Sequence, residues 1–280
     1  MNDFEKFFSS LFDETYKKFY GVHRWKLGQT ALAAVSSPGW ASFVEHLQIL
    51  SPADTFVVSP ELITTTEIGT DEVVPARALI EERIDYVKTV SAHMPATIFL
   101  LGTPVFGDRE NPTNSVLYLK AGGIIGQANK RSGVTEWEKA HFTFMAEEPP
   151  SLVPGSDIGV LICADLATAT LYLRNELVNE RVLQLGGRDN LIGAHPRFIH
   201  PKARTLVVPS CWGIGANQNL VAKVNHDEYY RLQLQAISAS VLRHSPELEH
   251  IVVVDRCPEG PFSPQEFFAT KPLNVLFKRK

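Results

Sequence analysis

Cysteine is scarce in this chain. Cys163, Cys211 and Cys257 are its three cysteines among 280 residues. They are too few and too scattered for a disulfide framework, and they lack the paired C-x-x-C spacing of a zinc site. A reducing, soluble compartment is the simplest setting, and a free reactive thiol persists there. Long apolar runs are also missing, since none approaches the ~20 residues needed to span a bilayer. The opening Met1-Asn2-Asp3-Phe4-Glu5-Lys6 lacks the basic and apolar segments of a secretory signal, so a cytoplasmic location is expected. An excess of either charge is absent too, with 27 basic against 31 acidic side chains. That balance gives no reason to expect nucleic acid or an anionic membrane as a partner. What remains, 44% hydrophobic and 21% charged residues, is the composition of a folded globular protein.

The apolar pattern alternates between strands and helices. Phe4, Phe7, Phe8, Leu11, Phe12, Tyr16, Phe19 and Tyr20 recur at spacings of three and four. That stripe predicts an amphipathic N-terminal helix over residues 1–24, packed on a single domain formed by residues 25–280. Ser36-Ser37-Pro38 reads as the start of a helix with a serine cap. Buried strands are expected at Thr55–Ser59, Thr97–Leu101, Ile158–Ile162, Thr205–Val208 and Ile251–Val254, with a last one at Leu273–Phe277. Helices are expected at Val74–His93, Thr168–Leu183 and Glu228–Leu242. Lys120-Ala121-Gly122-Gly123 marks a hairpin between Ser115–Leu119 and Ile124–Ile125. This alternation predicts a layered α/β fold, with sheets covered by helices.

Three polar residues stand where apolar strands or hairpins end. Glu61 follows Val57-Val58-Ser59-Pro60, Lys130 follows the hairpin, and Cys163 follows Gly159-Val160-Leu161-Ile162. Ligands of α/β sheets bind beyond the carboxyl ends of strands, so all three can meet at one mouth. Taken singly, each has an ordinary reading: a buried structural cysteine, a solvated turn and a surface lysine.

The local sequences add a resemblance. Phe56-Val57-Val58-Ser59-Pro60-Glu61-Leu62, the stretch from Asn114-Ser115-Val116 through Gly122, Gly123 and Gly126 to Lys130, and Gly159-Val160-Leu161-Ile162-Cys163-Ala164-Asp165 resemble three segments of the carbon–nitrogen hydrolase (nitrilase) superfamily. Leu101-Gly102-Thr103-Pro104 and Val207-Val208-Pro209-Ser210-Cys211-Trp212 resemble two further strand ends of that family, in the same order. The resemblance implies a four-layer αββα sandwich. It implies Cys163 as nucleophile, Glu61 as general base, Lys130 as oxyanion donor and the backbone N–H of Ala164 as a second donor. A second glutamate is expected after the lysine, at Glu138 by spacing, or at Glu136 after a small shift. Glu136, Asp165 and Trp212 are expected beside the substrate. Ala164-Asp165-Leu166-Ala167-Thr168 stands where the family commonly has an aromatic residue, then a proline and a glutamate, so the family's substrates do not carry over.

The implied function is hydrolysis of a non-peptide carbon–nitrogen bond in a small carboxamide or nitrile, through a cysteine thioester. A thiolate attacks such a carbon well, but a free thiol is mostly protonated at neutral pH and needs a base. Thiol, carboxylate and ammonium supply the chemistry, so no cofactor is implied. His195 and His200 have no acidic or thiol partner at useful spacing, and no metal is expected. The expected partner is a small amide, and a homodimer is an assembly the reading allows. Two alternatives stay open: acyl transfer to an amine or alcohol, and a silent relative used for binding. A Cys–His protease is disfavoured, since Cys163 has no histidine motif beside it. The stretch 181–204 reads either as a surface excursion or as a loop over the site.

Overall fold

The computed structural model describes residues 9–17, 19–68, 73–133, 136–163, 165–168, 198–211, 245–255 and 274–280, together with residues 231, 234–235, 237–239 and 241–242. The side chains of residues 136–137 and 167–168 are outside that description. The predicted helix at 168–183 also lies outside it, apart from Thr168.

Two sheets make up the frame. The six-stranded sheet runs in the order β2 (Gly21–Leu27), β3 (Thr30–Ser36), β4 (Phe56–Val58), β5 (Ile98–Val105), β6 (Thr113–Lys120) and β7 (Gly123–Asn129). The five-stranded sheet runs in the order β1 (Phe12–Lys17), β11 (Asn274–Arg279), β10 (His250–Asp255), β9 (Thr205–Ser210) and β8 (Ile158–Val160).

Period-two alternation sorts the apolar side chains into layers. Leu32, Ala34, Phe56, Val58, Ile98, Leu100, Val116 and Tyr118 enter the core shared with the five-stranded sheet. Their neighbours Ala33, Val35, Val57, Phe99, Leu101, Leu117 and Leu119 face the opposite way. There they meet Phe43 and Leu47 of helix α1 (Trp40–Leu47) and Ile80, Ile84 and Val87 of helix α2 (Arg77–His93). Burial on both faces explains the uninterrupted apolar runs of these strands. The described residues between 231 and 242 are helical, and Leu234, Ile237, Val241 and Leu242 pack into the core that holds the five-stranded sheet. The two sheets are tied at one end by the Ser36 hydroxyl, which donates to the Asp255 carbonyl at 2.7 Å.

The N-terminal helix is the main correction. Residues 9–11 are helical, but Phe12–Lys17 is a strand and Gly21–Leu27 is another. The expected boundary between residues 24 and 25 falls inside β2. An aromatic spacing of four is even, so it aligns one face of a strand as well as one face of a helix. Phe12 and Tyr16 share such a face and meet the Phe277 ring edge-on at 5.0 Å and 6.5 Å. The strand choice follows from the partner, because β1 pairs along its whole length with β11 from the far end of the chain. A smaller correction concerns α1, whose N-cap is Gly39, without a side-chain cap. Ser36 lies in β3, and the Ser37 hydroxyl pairs with His46 Nδ1 at 2.7 Å.

The hairpin, the long helix and the strands at 98, 158, 205, 250 and 274 stand where the sequence places them, with ends that differ by a few residues. β4 and β5 run parallel, β6 reverses, and β7 reverses again. β4 and β7 therefore end on the same side. β8, β9 and β10 are mutually parallel, so β8 and β9 also end together.

Candidate active site

Each polar residue is held by the strand end that carries it. Glu61 follows β4, and its backbone lies directly on Gly102 of β5. A Cβ on Gly102 would come within 2.2 Å of the Pro60 carbonyl oxygen and 2.9 Å of the Glu61 Cα, so glycine is required for this approach. The Gly102 N–H donates to the Ser59 hydroxyl at 2.8 Å. Beyond Glu61 the chain makes a tight turn, with Leu62 in the left-handed region at φ 52°. Arg83 of α2, itself buried, closes that turn by donating to the carbonyls of Thr64 and Thr66 at 2.8 and 2.7 Å.

Lys130 follows β7, and its N–H donates to the Asn114 carbonyl of β6 at 2.7 Å. Its ammonium is 1% exposed. Lysine is almost never that buried without partners, and here it has two. It donates to Glu61 Oε1 at 2.7 Å and to Glu138 Oε1. Glu138 belongs to the short helix α3 (Glu136–His141), which carries its carboxylate onto the ammonium. Asn114 Nδ2 also donates to Glu61 Oε1 at 2.7 Å, and the Cys211 N–H donates to Glu61 Oε2 at 3.1 Å.

Cys163 sits at a sharp strand-to-helix turn. Its N–H still pairs with the Pro209 carbonyl of β9 at 2.9 Å, while its carbonyl accepts from the Leu166 N–H at 3.1 Å. Its φ is 48°, a left-handed conformation that costs an L-residue about 1–2 kcal/mol. Such strain persists only where surrounding structure holds it, and it collects at functional sites. The Ser210 hydroxyl donates to Cys163 Sγ at 3.8 Å.

The electrostatics couple these groups. Burial alone pulls the Lys130 ammonium down, but Glu61, Cys163 and Glu138 more than offset it and hold it well above the ordinary value. Burial pushes the Cys163 thiol well up; Glu61 adds to that, Lys130 opposes it, Glu138 adds and the Cys211 N–H opposes. One buried ammonium therefore stands against two carboxylates and a thiol. A proton lost from the thiol to bulk would add uncompensated negative charge there. A proton passed from the thiol to Glu61 leaves the total charge of the cluster unchanged.

Asp165, expected beside the substrate, is a link between two arms of the site. Its buried carboxylate accepts from the Arg131 N–H at 3.1 Å, the Ser132 N–H at 3.1 Å and the Ser132 hydroxyl at 2.9 Å. It thereby ties the chain just after Lys130 to α4 (Asp165–Thr168), just after Cys163. Burial raises its pKa to about 6 against the opposing pull of Lys130 and the Arg131 and Ser132 donors. A raised acid pKa means that the fold favours the neutral form. The stability cost of ionisation is absent below about pH 4, grows as pH rises through about 6 and is complete above it. The three donors, however, suit the ionised form. Activity is therefore expected to fall reversibly as pH drops through about 6, while this residue's contribution to stability improves. The check is the pH profile of kcat/KM in wild type and Asp165→Asn. A limb near pH 6 that survives unchanged in Asp165→Asn would assign it to another group.

The backbone of Ala164 and the whole of Trp212 lie outside the described residues, as does His195; Glu136 opens α3, and its side chain is outside the description. Among the described residues no cluster of His, Cys, Asp or Glu is placed to hold a metal, and no helix is long and apolar enough to cross a membrane. Asn114 and Ser210 were not singled out from the sequence, although both lie in segments that carry the resemblance. The signal for Ser210 was a polar residue closing an apolar run at the end where the site forms; Asn114, between Thr113 and Ser115, carried no such signal.

No family model and no curated protein sequence matches this chain. Solved structures do. A carbon–nitrogen hydrolase from Helicobacter pylori G27 superposes with a TM-score of 0.55 over 93% of this chain and 88% of its own, at 14% identity. A cysteine-to-alanine mutant of an amidase from the nitrilase superfamily, from Nesterenkonia AN1, superposes with a TM-score of 0.50 over 97% of this chain and 91% of its own, at 12% identity. The chain therefore has the fold of the carbon–nitrogen hydrolases of the nitrilase superfamily.

Proposed function

We propose that this chain is a cysteine-dependent hydrolase that cleaves a non-peptide carbon–nitrogen bond in a small carboxamide. The observation that carries the reading is the buried Lys130 ammonium clasped by Glu61 and Glu138, in the same electrostatic environment as the Cys163 thiol.

The chemistry follows from the charges. Cys163 starts as a thiol, because burial and two carboxylates disfavour the thiolate. As the sulfur attacks the amide carbon, its proton passes to Glu61. The carbonyl π electrons move to oxygen, and the oxyanion gains from the fixed charge of Lys130; one such donor typically contributes about 3–4 kcal/mol. The tetrahedral adduct collapses, the C–N bond breaks, and the amine leaves with the proton held by Glu61. A thioester remains on Cys163. Glu61 then takes a proton from water as the water oxygen attacks the thioester, and returns it to the sulfur as the acid departs. Glu138 holds the ammonium in place and offsets its charge.

The test is intact mass spectrometry after incubation with a panel of small carboxamides and nitriles. The expected result is an acyl adduct on Cys163, with release of the free acid. Acylation of Cys211 alone, or turnover without any trapped adduct across the panel, would remove Cys163 from the nucleophile's role.

A further inference from the structure

Burial and two carboxylates push the Cys163 thiol up, so a thiolate formed during the reaction needs donors of its own. Lys130 is one, but its ammonium is already shared between Glu61 and Glu138. The end of β9 offers two more. Ser210, fully buried in β9, points its hydroxyl at Cys163 Sγ and donates to it at 3.8 Å. The next residue's N–H, that of Cys211, donates to Glu61 Oε2 at 3.1 Å and also favours charge on the sulfur. The Cys163 N–H is paired with the Pro209 carbonyl at 2.9 Å, so the register of β9 against the cysteine turn sets where Ser210 sits.

We propose that Ser210 is a further catalytic residue, whose hydroxyl donates to the Cys163 sulfur and, with the Cys211 N–H, stabilises the thiolate. The same two residues bridge the nucleophile and its base, since Cys211 binds the carboxylate oxygen that Lys130 and Asn114 do not. Glu61 Oε1 already receives two donors, so Oε2 is the oxygen with room for the thiol proton. The proton leaves sulfur for Oε2, and the electron pair left on sulfur is met by the Ser210 O–H. Its role in turnover rests on the proposed function, but the donation to sulfur does not.

Among the described residues, the groups that bear on the thiol's charge are Glu61, Lys130, Glu138 and Cys211, and all are kept in the test. The experiment follows the 13Cβ resonance of Cys163 across pH in cysteine-labelled protein, assigned by its loss in Cys163→Ala. In Ser210→Ala the thiol midpoint is expected to rise by about one pH unit, the scale of one hydrogen bond to a charged group. kcat should fall about tenfold at neutral pH with KM little changed. Ser210→Thr keeps the hydroxyl and should stay near the wild-type midpoint. An unmoved midpoint in Ser210→Ala overturns the proposal, as do equal shifts in both variants, which would mark a packing effect. A shifted midpoint in a protein that never forms an acyl adduct would uphold the donation to sulfur and overturn the hydrolase reading instead.

Discussion

Cys163→Ala is expected to abolish turnover and leave the fold intact. Nucleophile removal in enzymes of this kind costs ~10⁴-fold or more in kcat, since binding and oxyanion donors act on nothing without the attacking atom. The cost to stability is small. Cys163 is 9% exposed at the rim of the core, and alanine loses a single sulfur, worth about 1 kcal/mol. Alanine also keeps the Cβ at φ 48°, so the strain of the turn is neither added nor relieved. Thermal unfolding and turnover measured on the same preparation separate the two effects. The informative control is Cys211→Ala. Cys211 contributes its backbone N–H to Glu61, and alanine retains that N–H. Most activity should therefore survive in Cys211→Ala, and retention of activity in Cys163→Ala would overturn the assignment of the nucleophile.

How much of this was legible in the sequence depends on whether the signal was local. β5, β9 and β10 are apolar runs buried on both faces, and such runs read directly as strands. The hairpin at Ala121-Gly122 carries positive φ at both residues, as its glycine-rich turn suggests. β1 was not legible, because its partner lies more than 250 residues away. Nothing in Phe12–Lys17 alone shows that Asn274–Arg279 will pair with it. β2 was missed for a related reason. His23 and Trp25 alternate with Arg24 and Lys26, a period-two pattern hidden inside a longer aromatic stripe.

The site shows the same division. Glu61, Lys130 and Cys163 stand at strand ends, where position points to chemistry before any contact is known. Their partners need three dimensions. Asn114 reaches Glu61 across 53 positions in the chain, Ser210 reaches Cys163 across 47, and Asp165 reaches Arg131 across 34. Ser210 and Asp165 are polar residues in apolar stretches, which the sequence marks as unusual without naming what they bind, whereas Asn114 sits between Thr113 and Ser115 and is not marked even so. Glu138 was an expectation of the family resemblance, placed by spacing with Glu136 as the alternative, and its contact with the lysine needs the fold. Helix α3 brings its carboxylate back onto the ammonium eight residues earlier.

Lys130→Met is expected to remove activity and to weaken the fold, and a second substitution separates the two losses. Methionine matches the length of the lysine stem but carries no charge. In the proposed mechanism the oxyanion loses its donor, so kcat should fall by at least ~10²–10³-fold. Glu61 and Glu138 are then two buried carboxylates without their shared cation. Breaking such a cluster from one side typically costs about 3–5 kcal/mol, since the remaining charges stay desolvated and face each other. Glu138→Gln in the same protein removes one of those charges and keeps its shape. The double variant should regain a large part of the lost stability and none of the lost activity. Lys130→Arg tests geometry instead of charge. A planar guanidinium does not fit a point where two carboxylates converge on one ammonium nitrogen, so activity should fall by orders of magnitude although the charge is kept. Chemical denaturation and single-turnover kinetics on the three variants check this. Stability restored together with activity in Lys130→Met/Glu138→Gln would make Lys130 a structural cation and leave the oxyanion without it.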